Sequence, residues 1–213
     1  YTVTTSVTGP CAEASLSGTI TVNPNDELSL LSGTDSQELC EGNPITNIVY
    51  EFGGGANDAN VSGLPAGVTA VVTSSSNNIT ISGTPTGPIS TPTTFNYTVT
   101  TQGGNCTPAS LLGTITVNPN DLLALSSAVG TENQVLCDAN SLNTIVYEFS
   151  GGATTATVSG LPVGVNAVVT SNNVTISGTP PAATGTTQVY PYTVTTSGTC
   201  DDASLSGIIT VKG

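Results

Sequence analysis

The residues best equipped for covalent chemistry in this chain are its five cysteines: Cys11, Cys40, Cys106, Cys137 and Cys200. They fall into two classes. Cys11, Cys106 and Cys200 occupy one recurring sequence position, and Cys40 and Cys137 occupy another. Two cysteines per copy of a repeat, with an incomplete first copy, account for the odd total. No two stand in a C-x-x-C arrangement, so zinc ligation and thioredoxin-type exchange lack their spacing, and disulfide bonding is the chemistry that remains. Paired cysteines in an acidic, Thr-rich chain fit an oxidising, extracellular setting.

The carboxylates offer less. Asp26 and Asp121 close two Asn-Pro-Asn-Asp segments, with Glu27 beside the first. Oxygen-rich linkers can hold calcium between β domains, but one carboxylate per segment is too few, and Asn, Pro and Asp are ordinary turn formers. Glu51 and Glu148 recur within IVYEF on the face opposite its aromatics, as solvated outer-face residues do. Asp201-Asp202 is matched by Thr107-Pro108 and Ala12-Glu13 in the other copies, so the pair reads as a surface loop rather than a catalytic dyad.

Composition excludes more than it includes. The net charge is −13, Lys212 is the only Lys or Arg, and there is no His. Without His there is no histidine general base or metal ligand. With one cation there is no surface to neutralise phosphates or anionic headgroups, which excludes nucleic-acid binding and polybasic membrane attachment. No apolar run approaches the roughly 18 residues of a membrane-spanning helix. No catalytic residue, metal site or cofactor is expected. Lys212 alone cannot supply a Lys–Asn isopeptide bond to each repeat, which leaves disulfides and packing as the sources of mechanical strength.

The elements that must position these residues emerge from self-similarity. YTVTT begins at Tyr1, Tyr97 and Tyr192; GTITVNPND begins at Gly18 and Gly113, with the variant GIITV at Gly207. IVYEF begins at Ile48 and Ile145, VSGLP at Val61 and Val158, and ISGTP at Ile81 and Ile176. Matching positions lie 94 to 97 residues apart. The expected organisation is the C-terminal strand pair of one repeat (1–22), followed by complete repeats at 23–117 and 118–213. Period-two alternation marks these segments as half-buried strands: Tyr97, Val99 and Thr101 share one face, as do Ile48, Tyr50 and Phe52. The recurring aromatics Tyr50/Tyr147, Phe52/Phe149 and Tyr97/Tyr192 are therefore expected in the core rather than as sugar-stacking platforms. Gly- and Pro-rich turns punctuate the pattern. Six or seven short strands in about 95 residues predict an all-β chain of tandem immunoglobulin-like β-sandwiches. The period is too long for a propeller blade or solenoid coil. Only Asn-Pro-Asn-Asp separates the last strand of one repeat from the next, so a stiff, extended junction and a rod are expected.

Two disulfide schemes are open on this framework. One lies within repeats (Cys40–Cys106 and Cys137–Cys200), and the other crosses the junction (Cys11–Cys40 and Cys106–Cys137). Loop entropy favours the second by under about 1 kcal/mol. An extended strand pair carries the second scheme's partners beyond the reach of a disulfide, which favours the first. The first is itself uncomfortable, because the loop between the last two strands lies at the opposite end from the first turn, so Cys40 would have to climb back toward it. Reduced thiols are the third alternative. A link closing about 65 residues would stabilise a domain by about 4 kcal/mol in the chain-entropy picture.

The order C…IVYEF.GGA…VSGLP.GV…ITISGTP…YTVTT.G.C…GTITV resembles the immunoglobulin-like repeats of very large surface proteins of Bacteroidota, with the SprB-type gliding-motility adhesins as examples. The resemblance covers all 213 residues. It implies a secreted, cell-surface, tandem-repeat protein serving as an adhesive stalk or filament. Its partners would be neighbouring repeats, with surface polysaccharide or a solid substratum beyond them. Two other readings are a spacer or carbohydrate-binding module of a secreted enzyme, and a self-assembling extracellular fibre that exchanges strands between copies.

Overall fold

The computed structural model describes residues 1–137 and 140–213, and every regular element in them is a β-strand. The N-terminal hairpin pairs β1 (Thr2–Thr4) with β2 (Ser15–Ser17). Eight strands follow: β3 (Asp26–Ser32), β4 (Ser36–Cys40), β5 (Ile48–Gly54), β6 (Asp58–Ser62), β7 (Val68–Thr73), β8 (Asn78–Gly83), β9 (Thr93–Gln102) and β10 (Ser110–Asn118). The same series recurs as β11 (Asp121–Leu125), β12 (Asn133–Cys137), β13 (Ile145–Gly151), β14 (Ala153–Ser159), β15 (Val165–Val169), β16 (Asn173–Gly178), β17 (Gln188–Gly198) and β18 (Ser204–Lys212).

Each series folds into two four-stranded sheets. In the first they are ordered β3-β5-β8-β7 and β4-β10-β9-β6, in the second β11-β13-β16-β15 and β12-β18-β17-β14. The expected six or seven strands become eight because the first strand is split. Gly33 at φ +83° and Gly130 at φ +95° lie in the two breaks, and positive φ is cheap only for glycine. After the break the chain changes sheets: β3 pairs antiparallel with β5, whereas β4 pairs parallel with β10.

Each pair of sheets encloses its own core. Ile48, Tyr50, Phe52, Ile79, Ile81, Tyr97, Val99, Ile115 and Val117 are essentially inaccessible in the first, and their counterparts fill the second. The alternation read in IVYEF and YTVTT is the physical burial pattern, with Glu51 and Glu148 exposed between buried neighbours. Large apolar side chains lost from water supply the main driving force for such a core, about 25 cal/mol per Å². The hairpin lacks this cover. Tyr1, Val3, Ile20 and Val22 are exposed, although their counterparts Tyr97, Val99, Ile115 and Val117 are buried.

Inside each sandwich the two large tyrosines lock to one another. Tyr97 donates to the Asp35 carbonyl oxygen at 3.0 Å, which leaves its own oxygen to accept from Tyr50, also at 3.0 Å. Tyr192 and Tyr147 repeat this with the Glu132 carbonyl. A side chain at Gly113 would collide with the Tyr97 ring, and at Gly207 with that of Tyr192, so glycine at the centre of a strand makes room for the pair.

Candidate functional site

A feature that ties the two sandwiches together forms where they meet. β10 ends at Asn118 and β11 begins at Asp121, so Pro119 and Asn120 are the entire linker. Because β4 runs parallel to β10, it travels toward the same end, and its last residue, Cys40, stands opposite Asn118. The Glu41 amide donates to the Asn118 carbonyl oxygen at 2.8 Å, and the Asn118 side-chain amide donates to Glu38 at 2.8 Å. Cys40 is thus held at the downstream end of the first sandwich.

From the other side comes the turn between β17 and β18. The Asp121 amide donates to the Asp201 carbonyl oxygen at 3.0 Å, which anchors this turn to the first residue of its own sandwich. Cys200 then meets Cys40, and the two form a disulfide with Cα atoms 5.6 Å apart. The Cys200 sulfur lies 3.8 Å from the Asn118 carbonyl oxygen, and that of Cys40 lies 4.0 Å from the Thr199 carbonyl oxygen. The bond joins residues separated by 160 positions and crosses from one sandwich to the next.

This connectivity corrects both schemes drawn from the sequence. The favoured Cys40–Cys106 and Cys137–Cys200 pairs are absent; Cys106 and Cys137 carry free thiols, as does Cys11. Cys106 precedes the start of β10 whereas Cys40 lies beside its end, which puts a nine-residue strand, about 25 Å, between them. Cys137 likewise stands opposite Lys212, at the far end of β18 from Cys200. The alternatives Cys11–Cys40 and Cys106–Cys137 fail too: Cys106 lies beside Asn23 at the start of the first sandwich while Cys137 stands opposite Lys212 at the end of the second, and Cys40 is bonded to Cys200 rather than to Cys11. The discomfort noted in the sequence had a physical cause. β4 does not climb back: it carries its cysteine away from its own loop and toward that of the next sandwich.

One side chain that positions Cys40 went unnoticed in the sequence. The Gln37 amide nitrogen donates to the Thr46 carbonyl oxygen at 2.8 Å and to that of Thr34 at 3.2 Å, while its oxygen accepts from the Thr46 amide at 2.9 Å. Gln134 makes the same three bonds with Asn143 and Thr131. These clasps hold β4 and β12 after their change of sheet. The signal was available, since Gln precedes Cys by three residues in both copies. Thr101 and Thr196 were also missed. Each buried hydroxyl bonds to the backbone of Ala109 or Ala203, closing the base of the cysteine-bearing turn.

The carboxylates divide. Asp26 and Asp121 are buried at the starts of β3 and β11; Asp26 accepts from the Thr101 hydroxyl at 2.8 Å, while one of its oxygens and both of Asp121 have no hydrogen-bond partner among the described residues. Among the described residues no group of three or more His, Cys, Asp or Glu is arranged to hold a metal ion. Asp201 and Asp202 are exposed, and Asp201 acts through its backbone carbonyl. Burial raises the phenols of Tyr97 and Tyr192 above their ordinary range. Burial also raises those of Tyr50 and Tyr147.

No family model and no curated protein sequence matches the chain. Solved structures do match. Hemolin, an insect immune protein, superposes with a TM-score of 0.55 at 17% identity over 87% of this chain and 47% of its own. Mouse cadherin-23 EC22–24 gives 0.52 at 11% identity, covering 89% and 67%, and the DIP-gamma IG1+IG2 pair gives 0.51 at 9%, covering 90% and 100%. The fold is immunoglobulin-like. At these identities the likeness is one of fold alone, and the chain spans about half the length of hemolin. Within that immunoglobulin-like frame the Cys40–Cys200 bond is an inter-domain link rather than a pin through one core.

Proposed function

We propose that this chain is a non-enzymatic structural segment of a large, repetitive bacterial surface adhesin, exposed outside the cell and working through length and repetition. In this reading residues 23–117 and 118–213 are two complete repeats, and 1–22 is the closing strand pair of another. Gliding motility is one process such a filament would serve. The observation that carries the proposal is the disulfide between consecutive sandwiches. A domain that acts alone gains little from a covalent tie to its neighbour, whereas a segment under tension gains a joint that cannot part. The resemblance of the repeat motifs to Bacteroidota surface repeats supports the bacterial setting. Hemolin, described as having a domain arrangement with implications for homophilic adhesion, shows a similar frame in an adhesive context. The near lack of basic side chains denies trypsin-like proteases their cleavage sites, and the net charge of −13 keeps neighbouring filaments apart.

Negative-stain electron microscopy of producing cells, with gold-labelled antibody against residues 118–213, tests this. Gold strung along thin surface filaments is expected. Label confined to compact particles in the medium would point instead to a spacer module of a secreted enzyme.

A further inference from the structure

Two of the three free thiols occupy the two halves of the bridge already described. Cys106 corresponds to Cys200 in the repeat, and the correspondence extends to its surroundings: its sulfur faces the Asn23 carbonyl oxygen at 3.5 Å, as that of Cys200 faces Asn118 at 3.8 Å. Asn23 and Asn118 are the same position of the Asn-Pro-Asn-Asp segment. Cys137 corresponds to Cys40, standing opposite Lys212 across a parallel strand pair as Cys40 stands opposite Asn118. It is exposed, and the Gln134 clasp holds its strand as Gln37 holds that of Cys40. Neither thiol is a buried, inert cysteine.

We propose that Cys137 and Cys106 are the open halves of further inter-repeat disulfides, Cys137 bonding the turn cysteine of a following repeat and Cys106 the strand cysteine of a preceding one in the same chain. The Cys40–Cys200 bond then recurs at every junction of a tandem array. Successive bridges overlap, because Cys137 precedes Cys200 in the chain. Every residue beyond the first bridge lies inside at least one closed loop, and no sandwich can be pulled out without breaking a covalent bond.

The chemistry is thiol–disulfide exchange. The Cys137 thiolate attacks an oxidised dithiol or glutathione disulfide, forming a mixed disulfide and releasing one thiolate. The partner cysteine then attacks the Cys137 sulfur, forming the protein disulfide and expelling the second thiolate. Two protein thiols are oxidised, the donor disulfide is reduced, and two protons pass to the two departing thiolates.

The test extends the whole chain by one repeat, joining residues 119–213 again after Lys212, and oxidises it with glutathione disulfide. The appended copy carries Cys137→Ser and Thr199→Ser, so that it adds no second open strand cysteine and its Cys200 peptide differs in mass from the original. Cleavage beside Asp and Glu, which flank Cys137 at Glu132 and Asp138, followed by mass spectrometry reads the linkages. The expected result is a peptide joining Cys137 to the appended copy of Cys200, together with the original Cys40–Cys200 peptide, which reports that the fold is intact. Alkylation of Cys137 by iodoacetamide should fall at least about tenfold relative to the 213-residue chain. In the extended chain carrying Cys137→Ser the new link disappears and the original one stays. With Cys40–Cys200 formed, a Cys137 that remains alkylatable, pairs with Cys11 or Cys106, or bonds between molecules would overturn the proposal.

Discussion

Cys40 stands opposite Asn118 across the parallel pairing of β4 with β10, and this register explains why the disulfide crosses the junction. Asn118 is the last residue of its sandwich, so a cysteine beside it can reach only what comes next. The disulfide is a consequence of strand direction.

Removing the bond should weaken the two sandwiches together. In the chain-entropy picture a loop closed over 160 residues contributes about 5 kcal/mol, shared between them. Cys40→Ser, Cys200→Ser and the double variant should therefore lower the melting temperature in calorimetry by the same amount, because each removes the same bond. An additive double variant would show that the cysteines contribute separately.

The bridge also changes the path of force. With Cys40 joined to Cys200, tension applied to the termini bypasses the residues between them, and these should not extend. Single-molecule pulling on the oxidised chain is expected to lack the contour length of that segment. After reduction the segment should add about 500 Å, at roughly 3.4 Å per residue. Full extension of the oxidised chain would mean that the bond is not formed in solution.

The Gln37 and Gln134 clasps should be worth more than an ordinary surface hydrogen bond. Gln134→Leu leaves the Asn143 amide and two carbonyls without their partner, at a cost of about 2–3 kcal/mol, and Gln37→Leu, at a less buried site, costs about 1–2 kcal/mol. Urea denaturation measures both. Gln37→Leu should in addition slow formation of the Cys40–Cys200 bond during oxidative refolding, which a purely structural loss elsewhere would not do.

The tyrosine pair is asymmetric. Tyr50→Phe removes one donor and should cost about 1 kcal/mol, while Tyr97→Phe strands both the Asp35 carbonyl and the Tyr50 hydroxyl and should cost about 2–3 kcal/mol. Equal losses in denaturant titrations would contradict the direction of donation assigned to the pair.

Those phenols also predict the alkaline limit of stability. Their values are raised in the folded state, so the fold favours the neutral form. The corresponding stabilisation is complete below the unfolded phenol value of about 10 and is lost as pH climbs above it. Stability should be flat through neutrality and fall above about pH 10. Tyrosinate absorbance from Tyr50, Tyr97, Tyr147 and Tyr192 should appear together with loss of near-ultraviolet dichroism. Gradual ionisation in a folded protein would rule this out.

The sequence alone determined what depends on local pattern. Ile48, Tyr50 and Phe52 fall on one face with Val49 and Glu51 on the other, and period-two alternation has one physical meaning in a strand: one face is buried. The core aromatics and the outer placement of Glu51 and Glu148 followed from the same rule. What the tertiary structure decided was the neighbour of a five-residue strand. β4 carries the same alternation whether it pairs with β5 or with β10, because side-chain periodicity records which face is buried and not which neighbour is bonded. The pairing of Cys40 with Cys200 depends on that neighbour. A disulfide requires two Cα atoms within a few ångströms, and the choice among five cysteines was made by a sheet change at a glycine-containing break and a two-residue linker that brings the next turn alongside.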